Sequence, residues 1–315
     1  MTWHMRVAAI GIVSALTVSS TSWAADPDSC KSVRFSDVGW TDITSTTAAT
    51  SVVLTGLGYE PSANVFSVPV TYQGLKNGDI DVFLGNWMPT MEADIAPYRE
   101  DGSVETVGMN LTGAKYTLAV NKAAADGGIA NFGDIAGHRD KLDGKIYGIE
   151  PGNDGNRLIQ SMIDQDAFGL KGFEVVESSE QGMLAQVVRA NRRDEWIVFL
   201  GWEPHPMNSN FELTYLDGGD DWFGPNFGGA EVFTNVRRGY TGECPNVGRL
   251  LANLEFTLAM ENEIMTAILD EKEEPDKAAT AWLKANPEIL TGWLDGVTTM
   301  DGGDGQAAVR AHLGL

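Results

Sequence analysis

Two cysteines and four histidines are all the thiol and imidazole that the 315 residues provide. No His-Glu-x-x-His run or other close metal-ligand spacing can be assembled from them. Basic residues are scarce as well: 22 Lys and Arg stand against 44 Asp and Glu, a formal charge of −22. A chain with that balance has no basic surface to neutralise phosphates, which excludes nucleic acid as a partner. The same deficit argues against docking on an anionic membrane surface. Gly-x-Ser-x-Gly, the phosphate-binding loop and the dinucleotide fingerprint are all missing, so the common nucleophile and cofactor motifs give no enzyme reading. What is present is a 43% hydrophobic fraction with nine Trp, which demands a folded core. At roughly 150 residues per domain the length suggests two domains. The acidic field would draw in a small cation.

Long apolar runs are missing too. The longest is the stretch Val7 to Val18, which follows a positively charged start at Met1 to Arg6 and precedes Ser19-Ser-Thr-Ser-Trp-Ala-Ala25. About a dozen apolar residues is too short for a bilayer span of about 20. The order of charge, apolar core and small residues is that of a secretory signal peptide, with cleavage expected after Ala24. A soluble periplasmic protein is therefore expected. Cys30 follows Asp26-Pro-Asp-Ser29 and lacks the apolar and small residues of a lipoprotein signal, so no lipid anchor is expected. In an exported chain an even cysteine count favours one disulfide, here Cys30–Cys244, the alternative being two free buried thiols.

Downstream, strand and helix patterns alternate. Strands are expected at Val33–Trp40, Asn64–Val68, Asp81–Leu84, Lys115–Val120, Lys145–Ile149, Phe173–Val176, Trp196–Leu200 and Glu231–Val236. Helices are expected at Thr44–Leu57, Tyr72–Asn77, Asp154–Gln165 and Ser179–Arg192, then at Asn246–Leu269, Glu274–Ala285 and Pro287–Leu294. Such alternation implies an α/β protein with mainly parallel sheets flanked by helices.

In open parallel sheets, ligands gather beyond the carboxyl ends of the strands. Aromatic residues with polar neighbours sit at those junctions: Trp40 near Asp42, Trp87 after Gly85-Asn86, Tyr116 after Gly113-Ala-Lys115, and Trp202 after Gly201. A further strand runs into Glu150-Pro-Gly-Asn-Asp-Gly-Asn156, a turn rich enough in Gly and Asn to expose backbone and amide groups. One Trp alone is more often core. A set of three Trp and one Tyr can wall a cage for a quaternary ammonium, whose positive charge is attracted to ring faces. Trp196, Trp222, Trp282 and Trp293 are read as packing residues, and Glu203 and His205 as solvated groups near the rim. Asp42 has the competing role of a helix cap, and Asn153 that of a turn residue.

Asp37-Val-Gly-Trp-Thr-Asp42, Gly85-Asn-Trp-Met-Pro-Thr90, Gly113-Ala-Lys-Tyr116, Gly148-Ile-Glu-Pro-Gly-Asn153 and Gly201-Trp-Glu-Pro-His205 together resemble the periplasmic substrate-binding proteins of ABC transporters for quaternary amines. The likeness covers nearly the whole mature chain and is greatest to the choline-binding branch. It implies a two-lobed periplasmic binding protein fold (type II) with a ligand cleft between the lobes, no enzyme activity, no cofactor, and delivery of ligand to a membrane permease. Carried over by position, Trp40, Trp87, Tyr116 and Trp202 form the aromatic box, and Asp42 and Asn153 receive the ligand's hydroxyl. The Cys30 and Cys244 positions also fit a disulfide of that branch. Lobe one is expected to hold 25–112 plus 221–315, lobe two 113–220, and the protein to be a monomer.

The chemistry of the ligands points the same way. Choline's trimethylammonium has no N–H to donate, so ring faces and methyl packing must recognise it. An ionised Asp42 accepts a bond from choline's hydroxyl but repels the carboxylate of glycine betaine. Lys115 adjoins Tyr116 in a strand and should face away from the pocket if Tyr116 faces in. Glycine betaine, proline betaine and acetylcholine stay open as ligands of the same class, and a secreted enzyme acting on a quaternary amine is the reading from another class.

Overall fold

The computed structural model describes Met1 and residues 25–315; the expected signal peptide lies outside the described residues apart from Met1. Nine strands, β1 (Ser32–Asp37), β2 (Glu60–Val65), β3 (Val82–Met88), β4 (Val104–Asn121), β5 (Lys145–Tyr147), β6 (Glu174–Val176), β7 (Val198–Glu203), β8 (Leu213–Tyr215) and β9 (Gly229–Arg237), alternate with helices. They hydrogen-bond in the order β2-β1-β3-β9-β4-β7-β5-β6, with β8 alongside β4. The pairs joined through helical crossovers are parallel: β1 with β2 and β3, and β5 with β6 and β7. The strands that link the two sides are antiparallel to their partners, β9 to β3 and β4, and β4 to β7.

Two lobes result, one around β2-β1-β3 and one around β7-β5-β6. The 18-residue β4 runs through both. Its first part pairs with β9 as far as Lys115, and Lys115 to Val120 pair with β7. Between Leu111 and Ala114 the register against β9 shifts, and Gly113 lies there at φ +76°. That backbone angle is costly for any side chain, so glycine lets the strand turn where it passes between lobes. Only Lys115–Val120 of this strand is expected from sequence, because exposed residues and two glycines interrupt the apolar pattern of the rest.

The helix Thr41–Gly56 is mostly buried although rich in Ser and Thr. Several of its hydroxyls return to carbonyls of the preceding turn, among them Ser45 to Asp42 O at 2.7 Å and Thr50 to Thr46 O at 2.8 Å, so burial leaves those donors satisfied. It packs against the helices Leu258–Leu269, Pro275–Ala285 and Gly305–Leu313, the last of which has no counterpart in the sequence expectations. Asp304 caps this last helix at Ala307 N (3.0 Å), and Gly314 closes it at φ +74°.

The single helix expected over Asn246–Leu269 is two, Pro245–Asn253 and Leu258–Leu269. Leu254 turns extended, and the Thr257 hydroxyl caps the second helix by accepting from Met260 N. The break frees Phe256 N to donate to Asn110 O of β4 (2.7 Å) and seats the Phe256 ring edge-on to Trp293. Cys30 and Cys244 form a disulfide with Cα atoms 5.6 Å apart across 214 residues of sequence. Beside it, Asp26 accepts from Asn246 N (2.8 Å) and Val247 N (3.1 Å), capping the helix from the other end of the chain.

Candidate ligand-binding site

Trp40 immediately precedes the helix Thr41–Gly56, Trp87 is the last residue but one of β3, Tyr116 lies in β4, Trp202 lies in β7, and Ile149 follows β5. With Asp42 they line one cavity of about 250 Å³, counted out to its opening on solvent. The four aromatic residues are between 3% and 5% exposed, and Asp42 is 1% exposed. Tyr116 stands between two indoles, with Trp87 at 6.1 Å and Trp202 at 6.4 Å, both edge-on. Trp87 and Trp202 each begin a Trp-x-Pro run whose proline peptide bond is cis.

Trp87 Nε1 donates to Asp42 Oδ2 at 3.1 Å, but Asp42 Oδ1 is buried with no hydrogen-bond partner. Burial first, and the charge of Glu180 second, push the Asp42 carboxyl up to about 8. A buried carboxylate without a cation is unfavourable, and a cation entering the cavity would relieve it. Trp40 Nε1 donates to Glu150 Oε1 at 2.6 Å, and burial pushes the Glu150 carboxyl up to about 7. Glu261, 2% exposed, is raised well above the usual carboxylate range by burial and by Asp42's charge.

Asp42 does not cap its helix. Trp40 occupies the capping position without a side-chain bond, and Asp42 points its carboxyl to Trp87 and the cavity. Asn153, in contrast, is a cap: its Oδ1 accepts from Asn156 N at 3.1 Å and from the Tyr116 hydroxyl at 3.0 Å. It is tied to Tyr116, whose ring lines the cavity. Lys115 faces away, paired with Glu203 at 3.2 Å. The solvated role given to His205 is wrong: it is 1% exposed, edge-on to Trp202 at 4.9 Å and 3.3 Å from Glu180. Polar residues after a strand are usually wet; here the Trp202 ring, Met207 N and Glu180 all contact the imidazole. Ile149, Glu150, Glu180 and Phe223, whose ring is edge-on to Tyr116 at 5.9 Å, are absent from the sequence-based site. Ile149 and Glu150 carried a signal, since both fall inside the Gly148–Asn153 motif.

The family described as the substrate-binding domain of ABC-type glycine betaine transport systems matches residues 31–285. An ABC-transporter choline binding protein solved in complex with choline is 70% identical, covering 91% of this chain and 100% of its own, with a TM-score of 0.91. The same comparison with such a protein in an unliganded semi-closed conformation gives 70% identity, 91% and 100% coverage, and a TM-score of 0.85. An uncharacterized protein of Chromohalobacter salexigens is 51% identical over 153 residues, 49% of this chain and 96% of that protein. The chain belongs to the substrate-binding domain family of ABC-type glycine betaine transport systems.

Proposed function

We propose that this chain captures choline outside the cytoplasmic membrane and delivers it to the permease of an ABC importer. The observation that carries the reading is one cavity lined by four aromatic side chains together with Asp42, one of whose carboxylate oxygens is unpartnered. Each desolvated cation–π contact contributes about 0.5 to 2 kcal/mol, so four walls supply several kcal/mol. A micromolar dissociation constant needs about 8 kcal/mol net, which leaves a share for Asp42 and for methyl packing. The 70% identity to a protein solved with choline supports the same ligand.

Trp40, Trp87, Tyr116 and Trp202 are proposed as the walls, Asp42 as the acceptor for choline's hydroxyl and counter-charge for its ammonium, and Asn153 as the residue that fixes Tyr116 and offers its remaining amide proton. The proposed division assigns 25–112 and 221–315 to lobe one and 113–220 to lobe two. Trp40, Asp42 and Trp87 then come from one lobe and Tyr116, Asn153 and Trp202 from the other, so closure and binding are one event. Among the described residues no helix is long and apolar enough to cross a membrane. We read the chain as periplasmic, exported by residues 1–24 without a lipid anchor, and as a carrier with no catalytic step.

Calorimetry against choline, acetylcholine, glycine betaine, proline betaine and carnitine tests this. Choline should bind at micromolar strength or better, and glycine betaine at least tenfold more weakly. Tighter binding of glycine betaine would overturn the role of Asp42.

A further inference from the structure

Trp40 and Thr41 are neighbours at the start of the helix Thr41–Gly56, on the β1–β3 side of the cleft, and each is held by a carboxylate from the β5–β7 side. Glu150 takes the Trp40 indole, as described. Glu180, at the start of the helix Glu180–Arg193, takes Thr41 with both oxygens: Oε2 accepts from Thr41 N at 2.8 Å and Oε1 from Thr41 Oγ1 at 2.6 Å. A helix start leaves backbone N–H groups without intrahelical partners, and a local Ser, Thr, Asp or Asn normally serves them. Trp40 has no such oxygen. Glu180, 139 residues away, serves in its place and is completely buried.

His205 orients that carboxylate. Its Nδ1 accepts from Met207 N at 2.9 Å, so the ring's proton sits on Nε2 and is donated to Glu180 Oε1 at 3.3 Å. The other face of the arrangement is the cage, because the His205 ring packs edge-on against Trp202. A continuous path therefore runs behind the cavity, from the Trp202 wall through His205 and Glu180 to Thr41, between Trp40 and Asp42. None of the three linking residues lines the cavity.

We infer that Glu180, held by His205, is a positioning residue that caps the Thr41 helix across the cleft and sets how long the ligand stays bound. The inference rests on the choline reading above. The hydrogen bonds from Thr41 are charge-assisted, and they form only once the two sides have met. They therefore slow reopening and leave the first encounter untouched, so their loss belongs in the dissociation rate.

Stopped-flow Trp fluorescence with choline tests this in the wild type, Glu180→Gln, Thr41→Val and the double variant. Gln keeps the shape but loses the charge and one acceptor, and Val keeps the backbone N–H but loses the hydroxyl. Glu180→Gln should release choline at least tenfold faster with an association rate within threefold of wild type. Thr41→Val should accelerate release about threefold or more, and the double variant should fall short of the product of the two. An unchanged release rate, a loss confined to association, or full multiplicativity would overturn the inference. If Glu180→Gln does not fold, judged by its melting without ligand, Thr41→Val alone decides. A wild type that fails to bind choline would instead overturn the ligand reading.

Discussion

Replacing Asp42 by Asn keeps the side chain's shape and removes its charge, which isolates what the carboxylate does for a cationic ligand. In the unliganded cavity the carboxyl is raised to about 8, so at pH 7 it is mostly protonated. Binding a cation beside it requires the proton to leave, at a cost of about 1.4 kcal/mol for the one unit between pH 7 and 8. Two unit charges about 4 Å apart at an effective dielectric near 20 attract by about 4 kcal/mol. The difference, about 2.5 kcal/mol, predicts that Asp42→Asn weakens choline between ten- and a hundredfold at pH 7. The same reasoning fixes the pH dependence. The ligand prefers the deprotonated form, so affinity rises by up to tenfold per unit below pH 8 and levels above it. Calorimetry at pH 6, 7, 8 and 9, in buffers of differing ionisation enthalpy, reads both the affinity and the proton released. Glu150, raised to about 7 and bound to Trp40, adds to any slope at the acid end, and the Asn variant separates the two. An Asn variant that binds choline as tightly as wild type, or a wild type whose affinity is flat from pH 6 to 9, would refute the reasoning.

Trp87→Ala should weaken choline at least tenfold, about 1.4 kcal/mol, because it removes a wall and the donor to Asp42 together; an unchanged affinity in calorimetry would take the ring out of the cage. Reducing the Cys30–Cys244 bridge should lower unfolding stability by about 2 to 4 kcal/mol in denaturant titrations, with less than a threefold change in choline affinity. A thiol assay on the unreduced, unfolded protein should find no free thiol, and two would contradict the bridge.

Of the four aromatic residues that line the cavity, Trp40, Trp87 and Trp202 stand close to strand ends beside Gly or Asn, which made them legible, whereas Tyr116 lies well inside β4. The disulfide was legible from an even count in a chain read as exported. Contacts between distant polar residues left no local trace. Glu180 and Thr41 are 139 positions apart, and each looks like an ordinary helix-start residue. His205 left no local trace either, since one of its partners, Glu180, is 25 positions away. The break at 254–257 was hidden because apolar residues continue through it, Leu250, Leu251, Leu254, Phe256 and Met260, and the interruption is imposed by Asn110 and Trp293. Asn153 shows the converse: an exposed-looking turn motif proves to be a cap that also holds the Tyr116 hydroxyl.

The central claim is that rings and a carboxylate recognise positive charge. 3,3-Dimethyl-1-butanol has choline's shape and hydroxyl with a neutral carbon in place of the nitrogen, so it preserves apolar burial and removes only the charge. Side-by-side calorimetry of the two on the wild-type protein is the direct measurement. The cage described here predicts that the neutral compound binds at least a hundredfold more weakly than choline; equal affinities would contradict it.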